Sequence, residues 1–550
     1  MVASSMDGGP AGGASPPLRT WTNRWHARRL TFLSNPHGDR WEDGTRGGPC
    51  CPTRVDAHSA FPEPAVSAAP PASARIALSM LAPLALAQFI ASYAATNMNV
   101  AISDIAKDLG TTVTGVQTAI TLFTLTMAAL MIPGSKLTDI LGRKPCFRIG
   151  LLVYGLGGLL AALAPGIGVL IVGYSLLEGV GSALMIPPIY ILLTVASTDV
   201  ATRARAFGVI SAAAGIGAAA GPLIGGLITT GISWRASFLL QVLVVASIIV
   251  LSRRIVDPGV QGARPRFDVV GAILSAAGLL FVVLGILQSG TYGWFKARED
   301  FAIGGVVIIP KGGLSPVWIF VAVGALFLVW FFLHIRSRQR AGREPLLSTR
   351  LFRSRAANLG LVTQNVQWLI MQGSFFVISL YLQDSRHYSA IETGLILTPA
   401  TAGILLASAA AQRMATRRSQ RLLIRGGFVL TVAGMLVLLL LSSADRIVAF
   451  VPGLLLVGLG VGIMLTASVN VVQSSFSESE QGEISGLSRS VSNLGSTLGT
   501  AIVGSVLVAA TAPGGGPFAM ALIAVGVTGL IGLGAAMLLP SDPVAPGSTD

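Results

Sequence analysis

Fourteen apolar runs, each long enough to cross a bilayer, fill most of the chain and limit what it can fold into more than any other feature. They lie near residues 78–102, 113–133, 147–164, 167–196, 206–230, 236–252, 269–288, 316–334, 357–382, 393–412, 423–442, 447–473, 484–511 and 517–539. A helix needs about 20 apolar residues to span the hydrocarbon. Pro and Gly inside such runs are tolerable because neighbouring helices satisfy the freed backbone groups. A soluble protein of 550 residues would hold three or four domains at about 150 residues each. Composition excludes that: charged residues make up 11% of the chain and the mean hydropathy is +0.72, where a soluble surface needs about 25% charged residues. The expected fold class is an all-α integral membrane protein.

The net charge of +14 would suit a nucleic-acid partner if the basic residues formed one patch. They fall instead into short connectors between apolar runs. With the N-terminus inside, the inner connectors hold twenty-three basic residues without the N-terminal tail, and the outer connectors hold seven. That asymmetry places both termini in the cytoplasm of a multi-pass plasma-membrane protein and leaves no role for nucleic acid. Residues 1–75 lack an apolar core for a signal peptide. They read as a disordered cytoplasmic tail, or as upstream sequence from a misassigned start codon, although Trp21, Arg24, Trp25, Arg28 and Arg29 could lie on a membrane surface. Three Cys, two of them the adjacent Cys50 and Cys51, give no disulfide framework.

The acids discriminate further. Asp104, Asp384 and Glu392 stand at outer ends of runs, and only Glu178 lies well inside one. Counted from residue 167 it is eleven residues deep, roughly 16 Å at 1.5 Å per residue, near the bilayer midplane. A charged carboxylate there costs several kcal/mol, so the group favours the neutral acid until water or a cation reaches it. Such a carboxyl either carries a proton between two faces or locks the fourth span to a neighbour by hydrogen bonding.

Three motifs connect these features to a known family. The connector after the second span runs from Pro133 through Ser135, Lys136, Asp139, Gly142, Arg143 and Lys144. It resembles the cytoplasmic signature of the major facilitator superfamily, in which an Asp at a helix end pairs with Arg from the same loop and latches the bundles. The resemblance implies a latch of Asp139, Gly142, Arg143 and Lys144. The fifth span carries Gly217, Gly221, Pro222, Gly225 and Gly226, similar throughout to the pattern of proton-driven antiporters in that superfamily. Small residues four apart let helices touch backbone to backbone, and Pro bends a helix. Phe267-Asp268 with Gly271, Glu344-Pro345-Leu346-Leu347, and Asn493 with Gly495 complete a resemblance over residues 75–540 to the fourteen-helix drug:proton antiporters of the EmrB/QacA type.

That resemblance implies a major facilitator fold. An N-terminal six-helix bundle would occupy residues 76–255 and two inserted helices with an outer loop residues 256–343. A C-terminal six-helix bundle would occupy 344–540, followed by a short cytoplasmic tail over 541–550. It also exposes departures. The first span matches at Thr96, Asn99, Val100 and Ala101, but Ala94 holds the place of the family's acid; Ser175 holds the place of an Arg, and Glu178-Gly179 replaces Gln-Gly. Glu178 is then the main candidate for proton coupling, with a low stoichiometry of a single proton per cycle. Met414-Ala415-Thr416-Arg417 is a weak internal echo of the latch. Asn99 and one face of the ninth span, comprising Gln364, Gln367, Trp368, Met371 and Gln372, are candidates for a substrate cavity whose Met and Trp suit lipophilic cations. Hydrogen bonding between helices explains the same Gln residues equally well.

The function expected is proton-coupled export of lipophilic or cationic small molecules, of multidrug-efflux type. The alternative is export of a specific endogenous metabolite or siderophore by the same rocker-switch machinery. The partners expected are that small molecule, protons and the lipid bilayer, with the protein acting as a monomer. No Walker A motif, metal-binding His pair or nucleophile elbow occurs in the spans, so no enzyme activity, metal or cofactor is expected.

Overall fold

The structure is a computed structural model. It describes residues 72–196, 200–255, 257, 266–303, 306–415, 417–441, 447–476, 480–509 and 516–540. Nearly all of the expected N-terminal tail, the 541–550 tail and Thr416 of the internal echo lie outside the described residues.

Two sets of helices flank an inserted pair. The first set comprises α1 (Ala72–Asn97), a short α2 (Ile102–Asp108), α3 (Val113–Leu141) and α4 (Arg143–Ala162). Next come α5 (Ile167–Leu170), which runs through a π segment (Ile171–Glu178) into α6 (Gly179–Ala196), then α7 (Val200–Gly231) and α8 (Trp234–Leu251). The inserted pair is α9 (Val269–Tyr292) and α10 (Pro316–Arg340), joined by the antiparallel strands β1 (Phe301–Ile303) and β2 (Val306–Ile309). The second set is α11 (Arg355–Leu380), α12 (Ala390–Met414), α13 (Gln420–Leu441), α14 (Phe450–Ser474), α15 (Gln481–Ala509) and α16 (Gly516–Met537).

Side-chain caps set many helix starts, as orphan N–H groups require. Thr112 caps α3, Ser233 caps α8, Asp268 caps α9 and Ser354 caps α11. Ser389 and Glu392 form a reciprocal capping box on α12. Large apolar side chains stay exposed on α4, α8, α10 and α13, among them Leu156, Leu243, Leu326 and Leu440. A belt of that extent suits lipid rather than water.

Twelve helical segments among the described residues are long and apolar enough to cross a membrane, against the fourteen runs read from sequence. The two long helices outside that set are α1 and α15, whose end side chains lie outside the described residues. Both carry polar side chains that bond neighbouring helices. Thr497 Oγ1 of α15 donates to Thr124 Oγ1 of α3 at 2.9 Å, and Ser488 and Ser492 bond Gln364 of α11. On α1, Gln88 bonds Tyr190 and Thr96 Oγ1 donates to the Ala218 carbonyl at 3.1 Å. Both helices exchange apolar surface for hydrogen bonds because neighbouring helices surround them.

Two helix pairs join the sets: α3 against α15, and α7 against α12. The inserted α9 rests on both α3 and α15, and α10 packs on α9, with Phe281 stacked between Phe320 and Phe327.

Candidate functional site

Glu178 closes the eight-residue π segment, and π segments are rare and gather at functional positions. Its side chain is 0% exposed, and neither carboxyl oxygen has a hydrogen-bond partner among the described residues. A Cβ built on Gly158 of α4 would come within 2.9 Å of Glu178 Oε1 and 3.2 Å of Val242 Cγ2 on α8, so glycine at 158 makes room for the carboxyl. Val242 is eight residues into α8, about 12 Å from its start.

The surroundings are neutral. Tyr154 and Tyr174 lie within electrostatic reach of Glu178. Tyr154 Oη donates to Gln241 Oε1 at 2.6 Å, and Tyr174 Oη donates to the Ala94 carbonyl at 3.2 Å. Ser175 Oγ donates to the Ala119 carbonyl at 2.7 Å. The two positions where the resemblance leads one to expect an acid and an Arg are thus occupied by uncharged helix-to-helix bonds. A charged carboxylate buried without a partner costs several kcal/mol, which the neutral acid avoids.

The latch differs from the expected pairing. Gly142 adopts φ +96°, which other residues rarely adopt, and it both ends α3 and starts α4. Lys136 and Arg143 both act on the Asp139 carboxyl through their charges, and Arg143 also reaches the segment after α8. There Arg143 Nη1 lies 4.0 Å from Asp257 Oδ1, and the Lys144 N–H donates to Asp257 Oδ2 at 3.0 Å. Asp139 makes no ion pair or hydrogen bond of its own among the described residues. The link between the two sets runs through its neighbours. Ser135 Oγ donates to the Gly482 carbonyl at 3.1 Å, and Lys136 Nζ lies 3.6 Å from Glu483 Oε1.

The fifth-span motif falls on α7 and divides its contacts. Cβ atoms at Gly217, Gly221 and Gly225 would meet Phe89, Thr96 and Asn97 of α1. A Cβ at Gly226 would meet the Ala390 carbonyl of α12, and one at Gly394 the Pro222 carbonyl. One helix thus packs backbone to backbone on its own set and on the opposite set.

The cavity candidates separate. Gln364 is engaged with Ser488 and Ser492 of α15, the helix-to-helix alternative. Met371 lines a cavity of about 10 Å³ with Phe375, Ala400 and Val461 inside the second set, room for about one water molecule. Trp368 is partly buried against the core. Asn99 and Gln372 do reach the seam between the sets: the Asn99 carbonyl accepts from Gln383 Nε2 at 3.2 Å, and Gln372 Nε2 donates to the Ala95 carbonyl at 3.3 Å. The side-chain amides of Asn99 and Gln367 are buried without partners among the described residues.

Sequence reasoning set Arg489 near the cytoplasmic gate and left Asp257 and Gln241 outside the site. Arg489 of α15 donates to Tyr190 Oη of α6 across the seam and lies over its ring. Asp257 meets Arg143 and the Lys144 N–H. Gln241, a lone amide in the apolar run of α8, stands beside the Glu178 pocket; the test applied to acids inside spans would have found it.

Two sets of membrane-type helices meeting along a seam, with a buried acid in one set and a glycine-rich helix bridging both, define a secondary transporter. The chain belongs to the Major Facilitator Superfamily, whose sequence profile matches residues 84–310 and 301–500. It is therefore a multi-pass membrane transporter rather than an enzyme. Similar proteins include the "Probable actinorhodin transporter" of Streptomyces coelicolor, 29% identical over 75% of this chain and 69% of that one. "Multidrug resistance protein Stp" of Mycobacterium tuberculosis is 27% identical over 75% and 72%. "Multidrug efflux pump LfrA" of Mycolicibacterium smegmatis is 27% identical over 78% and 80%. Among solved structures, the peptide transporter POT in complex with alafosfalin matches with TM-score 0.59 at 16% identity, covering 85% of this chain and 98% of that one; the likeness concerns the fold.

Proposed function

We propose that the protein is a proton-coupled exporter of lipophilic or cationic small molecules, of multidrug-efflux type, in which substrate leaves as protons enter. The observation that carries this reading is Glu178: a carboxyl fully buried on a π segment, without a hydrogen-bond partner among the described residues and with no charged neighbour. A structural lock would use its oxygens. A proton carrier leaves them free for a conformation in which water reaches them. The relatives named for multidrug efflux and resistance support the substrate class. A second reading, export of one endogenous metabolite, draws support from the relatives named for actinorhodin transport and cephamycin export.

In this reading α1 and α15 also span the bilayer, giving fourteen spans with both termini in the cytoplasm of a bacterial cell. Residues 76–255 and 344–540 form the two bundles and 256–343 the insertion. Asp139, Gly142, Arg143 and Lys144 form the cytoplasmic gate, α7 pivots through Gly217, Gly221, Pro222, Gly225 and Gly226, and Asn99, Gln367 and Gln372 border the substrate path. The protein works as a monomer.

The test is Glu178→Gln in proteoliposomes, across a panel of lipophilic cations that includes ethidium. Uptake driven by a pH gradient should disappear, while reconstitution and folding persist. Gradient-driven transport at the wild-type rate would make Glu178 structural, and a panel without a transported cation would favour the metabolite reading.

A further inference from the structure

From the side of Glu178, buried polar groups follow one another along one face of α8 toward the end of the bundle that carries α2. Gln241 is wholly buried; its Oε1 accepts from Tyr154, and its Nε2 donates to nothing among the described residues. One turn nearer the start of α8, Ser237 Oγ lies 2.6 Å from Tyr93 Oη and accepts from Asn97 Nδ2 at 2.9 Å. Asn97 Oδ1 is likewise buried and unpartnered among the described residues. A further turn out, Trp234 Nε1 donates to Asp108 Oδ2 at 3.0 Å and Arg235 pairs with the same carboxylate at the helix end. Ser237 and Gln241 are four residues apart and so share a face.

An orphaned buried amide group is costly, and buried polar atoms of this kind are where proteins hold internal water. Here an orphaned carboxyl and two orphaned amide atoms follow one another from Glu178 to Asn97. Asn97 is also the residue on which α7 sits: a Cβ at Gly225 would lie 3.0 Å from Asn97 Cβ, and one at Gly221 would lie 3.1 Å from its backbone N.

We propose that Gln241, Ser237 and Asn97 form a polar track through which Glu178 exchanges its proton with the α2 end of the bundle, and that the glycine stripe of α7 covers the track at Asn97. The proposal rests on the reading of Glu178 as the proton carrier. In the forward step a hydronium ion held between Gln241 Nε2 and Ser237 gives up a proton that arrived from the mouth: its O–H bond breaks, the water keeps the electron pair, and the Glu178 carboxylate binds the proton. Neither amide ionises; Gln241 is a positioning residue. The titratable groups facing the track are Tyr93 from α1, Tyr154 from α4 and Tyr174 from the π segment, with Asp108 and Arg235 at its mouth. The hydrogen bonds from Arg235 and Trp234 hold the Asp108 carboxyl below the usual carboxylate range, so the mouth stays charged at neutral pH.

The experiment separates net proton movement from substrate movement. In ethidium-transporting proteoliposomes, Gln241→Leu should lower pH-gradient-driven uptake about tenfold, while ethidium–ethidium exchange at equal pH stays within about twofold of wild type. Gln241→Glu, which restores a polar group, should recover gradient-driven uptake with a shifted pH profile. Ser237→Ala removes one hydroxyl and carries the same comparison where the Leu variant does not insert, with gradient-driven uptake reduced and exchange kept. Equal losses in both assays would make Gln241 a packing residue, and unchanged gradient-driven uptake would remove the track. An infrared difference band of the Glu178 carboxyl, assigned by its loss in Glu178→Gln, needs no substrate; its re-equilibration after a pH jump should slow in Gln241→Leu. If Glu178→Gln transports at the wild-type rate, the underlying reading fails. If Glu178→Gln is inactive and Gln241→Leu is normal, the track alone fails.

Discussion

Four groups converge on the carboxylate of Asp268, which begins α9. The Gly271 N–H donates to Oδ1 at 3.1 Å and His334 Nε2 lies 2.9 Å from the same oxygen; the Leu346 N–H donates to Oδ2 at 3.2 Å and Arg338 Nε lies 3.5 Å from it. Burial alone would push this carboxyl up. The hydrogen bonds from His334 and Gly271 and the charges of His334 and Arg338 outweigh it and hold the group below its usual value. A depressed native value stabilises the fold above the unfolded pKa of about 3.9, and that stability is lost as pH falls through the native value. Asp268→Asn should therefore lower thermal stability in detergent by about 2 kcal/mol near pH 6, as expected for hydrogen bonds to a charged group. The gap to wild type should narrow below pH of about 4, and a gap independent of pH would overturn this assignment. Sequence placed Asp268 at the opening of the seventh span, but its partners His334 and Leu346 lie 66 and 78 residues away. The same limit applies to Glu178. An acid among apolar residues is visible in one dimension, whereas Tyr154, within electrostatic reach of it from α4, and Gln241, bonded to Tyr154 from α8, are not. Arg143 shows the same limit: spacing pointed to Asp139, on which its charge acts, but not to Asp257, which comes from the far end of α8.

At the scale of elements, α7 shows what small residues achieve by spacing. Its glycines admit α1 on one side and α12 on the other, close enough that Thr96 Oγ1 reaches the Ala218 carbonyl at 3.1 Å and the Gly394 backbone meets Pro222. A methyl group at Gly221 would collide with Thr96 Oγ1, so Gly221→Ala must push α7 off α1, at a cost of about 1–3 kcal/mol for overpacking. Transport should fall with little change in expression, and Thr96→Ala in the same chain should return some of it. Residues in contact give non-additive effects of this kind; strictly additive losses would show that Thr96 is not the contact that matters. The stripe was legible because glycines four apart carry their geometry in their spacing. The π segment was not, because an eight-residue apolar stretch reads alike at helical and wider turns. On α1 and α15 the Ser, Thr and Gln side chains lie within runs that the sequence already reads as spans, and neighbouring helices satisfy them.

At the scale of the molecule, the two sets touch at both ends of the seam. Ser135 and Lys136 of α3 meet Gly482 and Glu483 of α15 at one end, and at the other the Ile391 N–H donates to Thr230 Oγ1 at 3.0 Å while Gln383 bonds Ser103 and Asn99. A carrier that alternates must open the contacts at either end in turn while keeping those at the other. At the α3–α15 end the Ser135 hydrogen bond and the Lys136–Glu483 ion pair at 3.6 Å are polar, and further along the same two helices Ser490 Oγ donates to the Ala128 carbonyl at 2.5 Å and Thr497 bonds Thr124. A Cβ on Gly486 would lie 3.0 Å from Ser135 Cβ, near the spacing of about 3.8 Å found across disulfides. In a chain carrying Ser135→Cys and Gly486→Cys, with Cys50, Cys51 and Cys146 replaced by Ser, an oxidant should form the bond and hold that end shut. Gradient-driven transport should then stop and return on reduction, while either single Cys variant should be indifferent to oxidant. Wild-type transport from fully cross-linked protein would mean that α3 and α15 stay together throughout the cycle, and alternation would have to occur elsewhere than along this seam.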